Sequence, residues 1–300
     1  MKYDYLCALT ISLAVSAANA EIPASNYLNT ELANVHNRCI VQFSANTISS
    51  NVLGLAKNLA RQANAKLSYV YRHAIKGFTI NLPCHAARSV FRHSTDVISM
   101  SVDTVVSINK GKPNKGGGGS DTAQQVSYGT LRVAGGLIDS ANYTAWVIDS
   151  GVDLDHPDLN VDSTRGFTAI RRGGMDDQNG HGTHVAGIIG AINNNIGSLG
   201  VAPNTQIVPV RVLDRRGSGS MSGVLAGVDH VAENASPGDC VNMSLGGGAY
   251  DILDQAVINA AASTGAYFVL AAGNEGEPAV LHSPARANGN NVYTISAADI

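Results

Sequence analysis

Residues 143–151, "YTAWVIDSG", are apolar at nearly every position up to an aspartate, and then stop at a glycine. A strand with one solvated face alternates polar and apolar residues, whereas an unbroken apolar run of this length is buried on both faces. The next periodic stretch, "GTHVAGIIGAI" at 182–192, has helical spacing. The alternation continues with strands at 206–214, 239–248, 266–274 and 291–300 and helices at 222–234 and 252–264. Strands alternating with helices predict an α/β unit on a doubly wound, mainly parallel sheet. Ligands of such sheets bind off the carboxyl ends of the strands, so polar residues there are the candidates for chemistry.

Upstream the pattern differs. Residues 39–108 read as strand (39–43), helix (49–63), strands (67–73 and 76–83), helix (85–93) and strand (97–108), a β-α-β-β-α-β order of ferredoxin-like type. The unit ends at "NKGKPNKGGGGSD" (109–121), where glycine, lysine and proline predict a flexible, protease-accessible linker; no Gly-Lys-Ser/Thr follows the glycines, so they form no phosphate loop. The first twenty residues have a lysine near the start, an apolar run and an Ala18-Asn19-Ala20 end, the pattern of a secretory signal peptide. The expected organisation is signal 1–20, small domain 21–108, linker 109–122 and α/β unit 123–300.

With 44% hydrophobic and 14% charged residues and a net charge of −3 over 300 residues, nothing in the composition points to a nucleic-acid or membrane partner. No stretch approaches the roughly 20 apolar residues of a membrane span. Removing the signal takes Cys7 with it and leaves Cys39, Cys84 and Cys240, an odd count that implies a free thiol or a partner elsewhere. In a β-α-β-β-α-β sheet the first and third strands are antiparallel neighbours, which predicts a Cys39–Cys84 disulfide.

Three predicted strands end in polar groups: Asp149 in "VIDSG", Ser244 in "NMSLGGG" and Asn274 in "AAGNEG". His181 and His184 in "DDQNGHGTHVAGIIG" (176–190) begin a helix on the same rim. These two histidines suit a metal pair, a general base or plain packing. Their three-residue spacing, with no glutamate between them, departs from the helical H-E-x-x-H zinc pattern. An acid at a strand end facing a histidine at a helix start forms the orienter and base of a nucleophilic triad.

The segments "VIDSGVDLDHPDL" (147–159), "NGHGTHVAGIIGA" (179–191), "VNMSLGGG" (241–248) and "AAGNEG" (271–276) resemble, in order, the signature segments of the subtilisin-like serine proteases. The loop "NNNIGSLGVAP" (193–203) is similar to that of the bacterial subtilisins. The resemblance covers the chain from about residue 124, and the upstream unit is similar in layout to that family's inhibitory propeptide. It implies a secreted endopeptidase precursor acting on peptide and protein substrates, with Asp149 orienting the base, His181 as base, Asn274 stabilising the oxyanion and His184 packing as a structural neighbour. Gly217, Ser218, Gly219, Ser244, Leu245 and Gly246 would pair with an extended substrate backbone. Ala271, Ala272 and Gly273 would wall the pocket beside the scissile bond, with Glu275 near its floor. The resemblance also implies a calcium ion held by Gln124, Asp158, Asn194 and the carbonyls of Ile192, Ile196 and Ser198, an all-oxygen set suited to Ca²⁺.

One part of the family pattern is absent. No Gly-Thr-Ser-Met-Ala type segment, which would carry the nucleophile, occurs before Ile300. The expected reading is the front part of a longer protease. The alternative is a truncated, non-proteolytic product whose small unit inhibits or chaperones a separate protease.

Overall fold

The computed structural model describes residues 30–108, 123–137, 140 and 142–297, so the expected signal peptide and linker lie outside the described residues. The N-terminal unit runs α1 (Thr30–Ala33), β1 (Cys39–Phe43), α2 (Ser49–Gln62), β2 (Leu67–Tyr71), β3 (Gly77–Ile80), α3 (Cys84–Phe91) and β4 (Val97–Val102). This is the predicted order, closed into an antiparallel sheet β2-β3-β1-β4. Val52, Ala56 and Leu59, spaced for one helix face, pack with Ala87 and Phe91 over Cys39, Val41 and Phe43. Ile40 and Tyr71 join the core of the larger unit instead.

Cys39 pairs in register with Ile80, and α3 begins four residues later, which brings Cys39 and Cys84 to a Cα separation of 4.8 Å and a disulfide.

The stretch 97–108 is two strands and not one. It breaks at Asp103, and β5 (Val105–Ser107) leaves for the larger unit. A fully buried carboxylate needs partners. Asp103 finds the N–H and hydroxyl of Ser222, at 2.9 and 2.6 Å, and the Arg38 guanidinium at 2.8 Å. Reaching Ser222 turns the chain out of its own sheet.

The larger unit continues with α4 (Tyr128–Arg132), β6 (Thr144–Asp149), β7 (Asn160–Val161), β8 (Phe167–Thr168), α5 (His181–Gly190), β9 (Gln206–Arg211), β10 (Ser218–Ser220) and α6 (Met221–Asn234). It ends with β11 (Cys240–Met243), β12 (Gly247–Gly248), α7 (Asp251–Thr264), β13 (Tyr267–Ala271), β14 (His282–Ser283) and β15 (Val292–Ile295). The main sheet has the order β15-β13-β11-β6-β9-β7, with β8 also on β9, and every pairing in it is parallel. Helices cover both faces, as the apolar strands require. Gly182, Ala186 and Ile189 of α5 lie with Ala145, Val147 and Ile207 on one side, and α6 and α7 pack on the other. The Ser220 hydroxyl caps α6 through the Gly223 N–H, and Gly265, at φ 72°, ends α7 in the left-handed conformation.

From β6 the chain moves to β9 on one side and then to β11 on the other. The strand order therefore reverses at β6, and the crevice of a doubly wound sheet opens at its carboxyl end, at Asp149. Among the described residues no helix is long and apolar enough to cross a membrane.

Candidate active site

Asp149, the last residue of β6, is fully buried, and both its oxygens lie 2.9 Å from His181 Nδ1. His181 is the first residue of α5. The helix comes this close because Gly182 carries no side chain: a Cβ there would sit 2.0 Å from the Gly151 carbonyl oxygen. An imidazole held through Nδ1 by a carboxylate presents Nε2 as a base, and the carboxylate stabilises the imidazolium that forms. Burial disfavours the charged ring, but the hydrogen bond and charge of Asp149, with the charge of Asp177, outweigh it and raise the His181 pKa above its ordinary value.

His184 does not pack as expected. It is exposed, because the buried stripe of α5 runs through Gly182, Ala186 and Ile189 and leaves residue 184 off it.

A second group of residues surrounds β5. Its residues pair antiparallel with β10, Ser107 with Ser218 and Val106 with Gly219. Gly246 and Ser107 exchange backbone N–H···O bonds of 3.2 and 3.4 Å on the opposite edge, and the Ile108 N–H reaches the Gly217 carbonyl at 2.9 Å. Gly217, Ser218, Gly219 and Gly246 thus grip an extended segment, the one that ends the chain's own N-terminal unit. Two glycines are needed here for space. A Cβ on Gly219 would meet the Val212 carbonyl oxygen at 2.2 Å, and one on Gly217 would meet Ile108 Cγ1 at 2.4 Å.

At the end of β5 a small cavity is bordered by Ser107, Ile108, Ser244, Leu245, Gly246 and Gly247, and by residues 271–275 with His282. Ala271, Ala272, Gly273 and Asn274 come to it from the end of β13, and Asn274 is exposed, its backbone N–H donating to Glu275 Oε2 at 2.8 Å. The destination of β5, and the presence of Gly247 and His282 at this cavity, were not legible in the sequence. An aspartate inside the predicted strand at 103 was the available sign of the break.

Four of the residues expected to hold calcium, Gln124, Asp158, Ile192 and Asn194, are linked by hydrogen bonds. Gln124 Nε2 donates to the Ile192 carbonyl at 2.5 Å and its Oε1 accepts from the Asn194 N–H at 3.2 Å. Asn194 Nδ2 donates to Asp158 Oδ1 at 2.7 Å, its Oδ1 accepts from the Ile196 N–H at 2.8 Å, and Gly197 at φ 61° lies against Asp158 Oδ2. Ser198 bridges to Gln125 beside Gln124. Asp158 is 4% exposed, and the donor to its carboxylate is a neutral amide. A buried carboxylate among amide and carbonyl oxygens fits a hard cation, since turning the Gln124 and Asn194 amides would present oxygens to it.

Residues 142–300 match the model of the subtilase family. The alkaline serine exoprotease A of Vibrio alginolyticus is 40% identical over 238 residues, covering 77% of this chain and 43% of that protein; so long a match runs into the N-terminal unit. A subtilisin of Bacillus pumilus is 42% identical over 159 residues, 51% of this chain and 57% of its own length, and an extracellular serine proteinase of Thermus sp. (strain Rt41A) is 47% identical over 147, 49% and 34%. The crystal structure of a cold adapted subtilisin-like serine proteinase aligns with 49% of this chain and 53% of its own at 46% identity, with a TM-score of 0.45. The chain spans about half the length of the curated relatives it matches.

Proposed function

The chain belongs to the subtilase family, and from that premise we propose that it is the front part of a secreted serine endopeptidase precursor: signal 1–20, inhibitory propeptide 21–108, maturation linker 109–122 and the first part of the catalytic domain from residue 123. The observation that carries this reading is the docking of β5. A strand of the N-terminal unit lies between residues 217–220 and Gly246, as a peptide substrate would when it adds a strand to an exposed edge. The N-terminal unit therefore blocks the groove it sits in, and cutting the linker would let it leave.

In the released enzyme His181 takes the proton of a serine hydroxyl supplied by a segment beyond Ile300. Asp149 keeps the ring in the tautomer that presents Nε2 and balances its charge once protonated. Asn274 donates its side-chain amide to the developing oxyanion. Residues 217–219 and 244–246 align the peptide, and residues 271–273 flank the side chain next to the scissile bond. Ca²⁺ at Gln124, Asp158, Ile192, Asn194, Ile196 and Ser198 would tie the start of the mature chain to the domain and stabilise it by mass action, without taking part in the reaction.

The test is the reading frame after Ile300 and the activity of its product on casein. A late helix-opening Gly-Thr-Ser segment and casein hydrolysis lost in His181→Ala are the expected results. A stop codon directly after Ile300, or hydrolysis that survives His181→Ala, overturns the proposal.

A further inference from the structure

Asp149 grips the His181 ring from one side only, and α5 begins directly at His181, so something else must fix where the helix starts. A second carboxylate lies there. Asp177 Oδ1 accepts from the N–H groups of Asn179 and Gly180, at 2.8 and 3.0 Å, and from the Ser150 hydroxyl at 2.9 Å. Its Oδ2 accepts from the N–H and hydroxyl of Thr183, at 2.9 and 2.7 Å. Five donors on one half-buried carboxylate join the first turn of α5 to the residue that follows Asp149.

Ser150 closes the ring. It is fully buried, its Oγ accepts from the Gly182 N–H at 3.0 Å, and its own N–H donates to Asp149 Oδ1 at 2.6 Å. The distance from Asp149 to His181 is thus set through Ser150 as well as directly.

The segment carrying Asp177 is clamped in turn. Arg211 pairs in register with Asp149 on the neighbouring strand and is 1% exposed. Its guanidinium donates to the carbonyls of Gly173, Gly174 and Asp176, at 3.1, 3.2 and 2.8 Å, and to Gln178 Oε1 at 3.0 Å. Guanidinium geometry suits this: a planar fork holds several acceptors at fixed angles, which an ammonium cannot do.

We propose that Asp177 is the positioning residue of His181, locking the first turn of α5 onto Ser150 with Arg211 holding the segment that carries it. The hydrogen bonds of Asp177 go to backbone N–H groups and hydroxyls around the ring and not to the ring itself, so it acts on the ring in two ways: by geometry, and by placing a negative charge near it. The charged groups around the imidazole are Asp149 from β6 and Asp177 from the turn before α5, while Asp176, Asp177 and Asp214 face Arg211. Asp177 itself stays ionised at neutral pH: burial opposes its charge, but the donors from Gly180, Thr183 and Asn179 more than offset that and lower its pKa. The role assigned here rests on reading His181 as the base.

The experiment is ¹H–¹⁵N NMR of the His181 imidazole in the 300-residue chain, assigned by its loss in His181→Gln, so that no nucleophile is needed. In Asp177→Asn the ring titrates at lower pH and its Nδ1 proton, shared with Asp149, weakens or broadens. In Ser150→Ala, which keeps the charge but cuts the link, the titration stays raised while the Nδ1 proton broadens, and this variant serves if Asp177→Asn fails to fold. An unchanged titration and an unchanged Nδ1 proton in folded Asp177→Asn overturn the proposal, as does an unchanged Nδ1 proton in Ser150→Ala. In the complete enzyme, kcat of Asp177→Asn falls about tenfold or more at nearly constant KM. Absence of peptidase activity in the complete wild type would overturn the reading of His181 as base and leave the NMR result standing.

Discussion

The strength with which the N-terminal unit holds the groove depends on Asp229. This residue of α6 points its carboxylate at the turn after β2 and accepts from the N–H groups of Arg72, His73 and Ala74 at 2.7–3.1 Å. Each such bond to a charged acceptor contributes about 1.5–3 kcal/mol, and desolvation of the carboxylate offsets part of the sum. Asp229→Ala leaves three backbone donors unpaired at the contact and is expected to cost about 3 kcal/mol, or roughly 150-fold in affinity. The assay places a specific protease site within residues 109–122, cuts the chain there, and follows dissociation of the two pieces by sedimentation over a dilution series, with circular dichroism showing that both remain folded. A dissociation constant for Asp229→Ala within threefold of the wild type would refute the idea that this carboxylate anchors the unit.

Three further outcomes are expected. The Cys39–Cys84 disulfide spans 45 residues, and closing a loop of that length removes denatured-state entropy equivalent to about 4 kcal/mol, so Cys39→Ala/Cys84→Ala should lower the urea midpoint of the chain's N-terminal unit sharply, whereas a loss under 1 kcal/mol would contradict it. Asp103 and Asp229 are both raised above the ordinary carboxylate value by burial, so relative to the unfolded chain each contributes stability below about pH 4 that is lost as pH rises through its raised folded value. Folding of the chain should therefore take up protons at these two sites as pH climbs above about 4, which calorimetric unfolding in buffers of different ionisation enthalpy would detect. In thermal melts of the complete mature enzyme, calcium should raise the midpoint over chelator and Asp158→Ala should abolish the difference; equal wild-type midpoints would exclude a stabilising ion.

The sequence by itself determined the elements and the outline of the site. The apolar run at 143–151 reads as an interior strand, and the strand–helix alternation after it predicts the parallel sheet that the structure has. Asp149 and His181 were readable as a pair although 32 residues separate them, because each sits at the terminus of its own locally encoded element. Cys39–Cys84 was readable too, since its strand neighbours follow from the β-α-β-β-α-β order. Tertiary structure alone decided where β5 goes, because residue 107 finds its partners at 218 and 246, and no short window of sequence encodes a register between segments so far apart. It also decided that His184 faces outward, and that Asp177, in sequence one more acidic loop residue, gathers five donors around the start of α5. Periodicity reports which face of an element is buried. Which distant backbone groups a buried carboxylate must satisfy is fixed only when the elements pack.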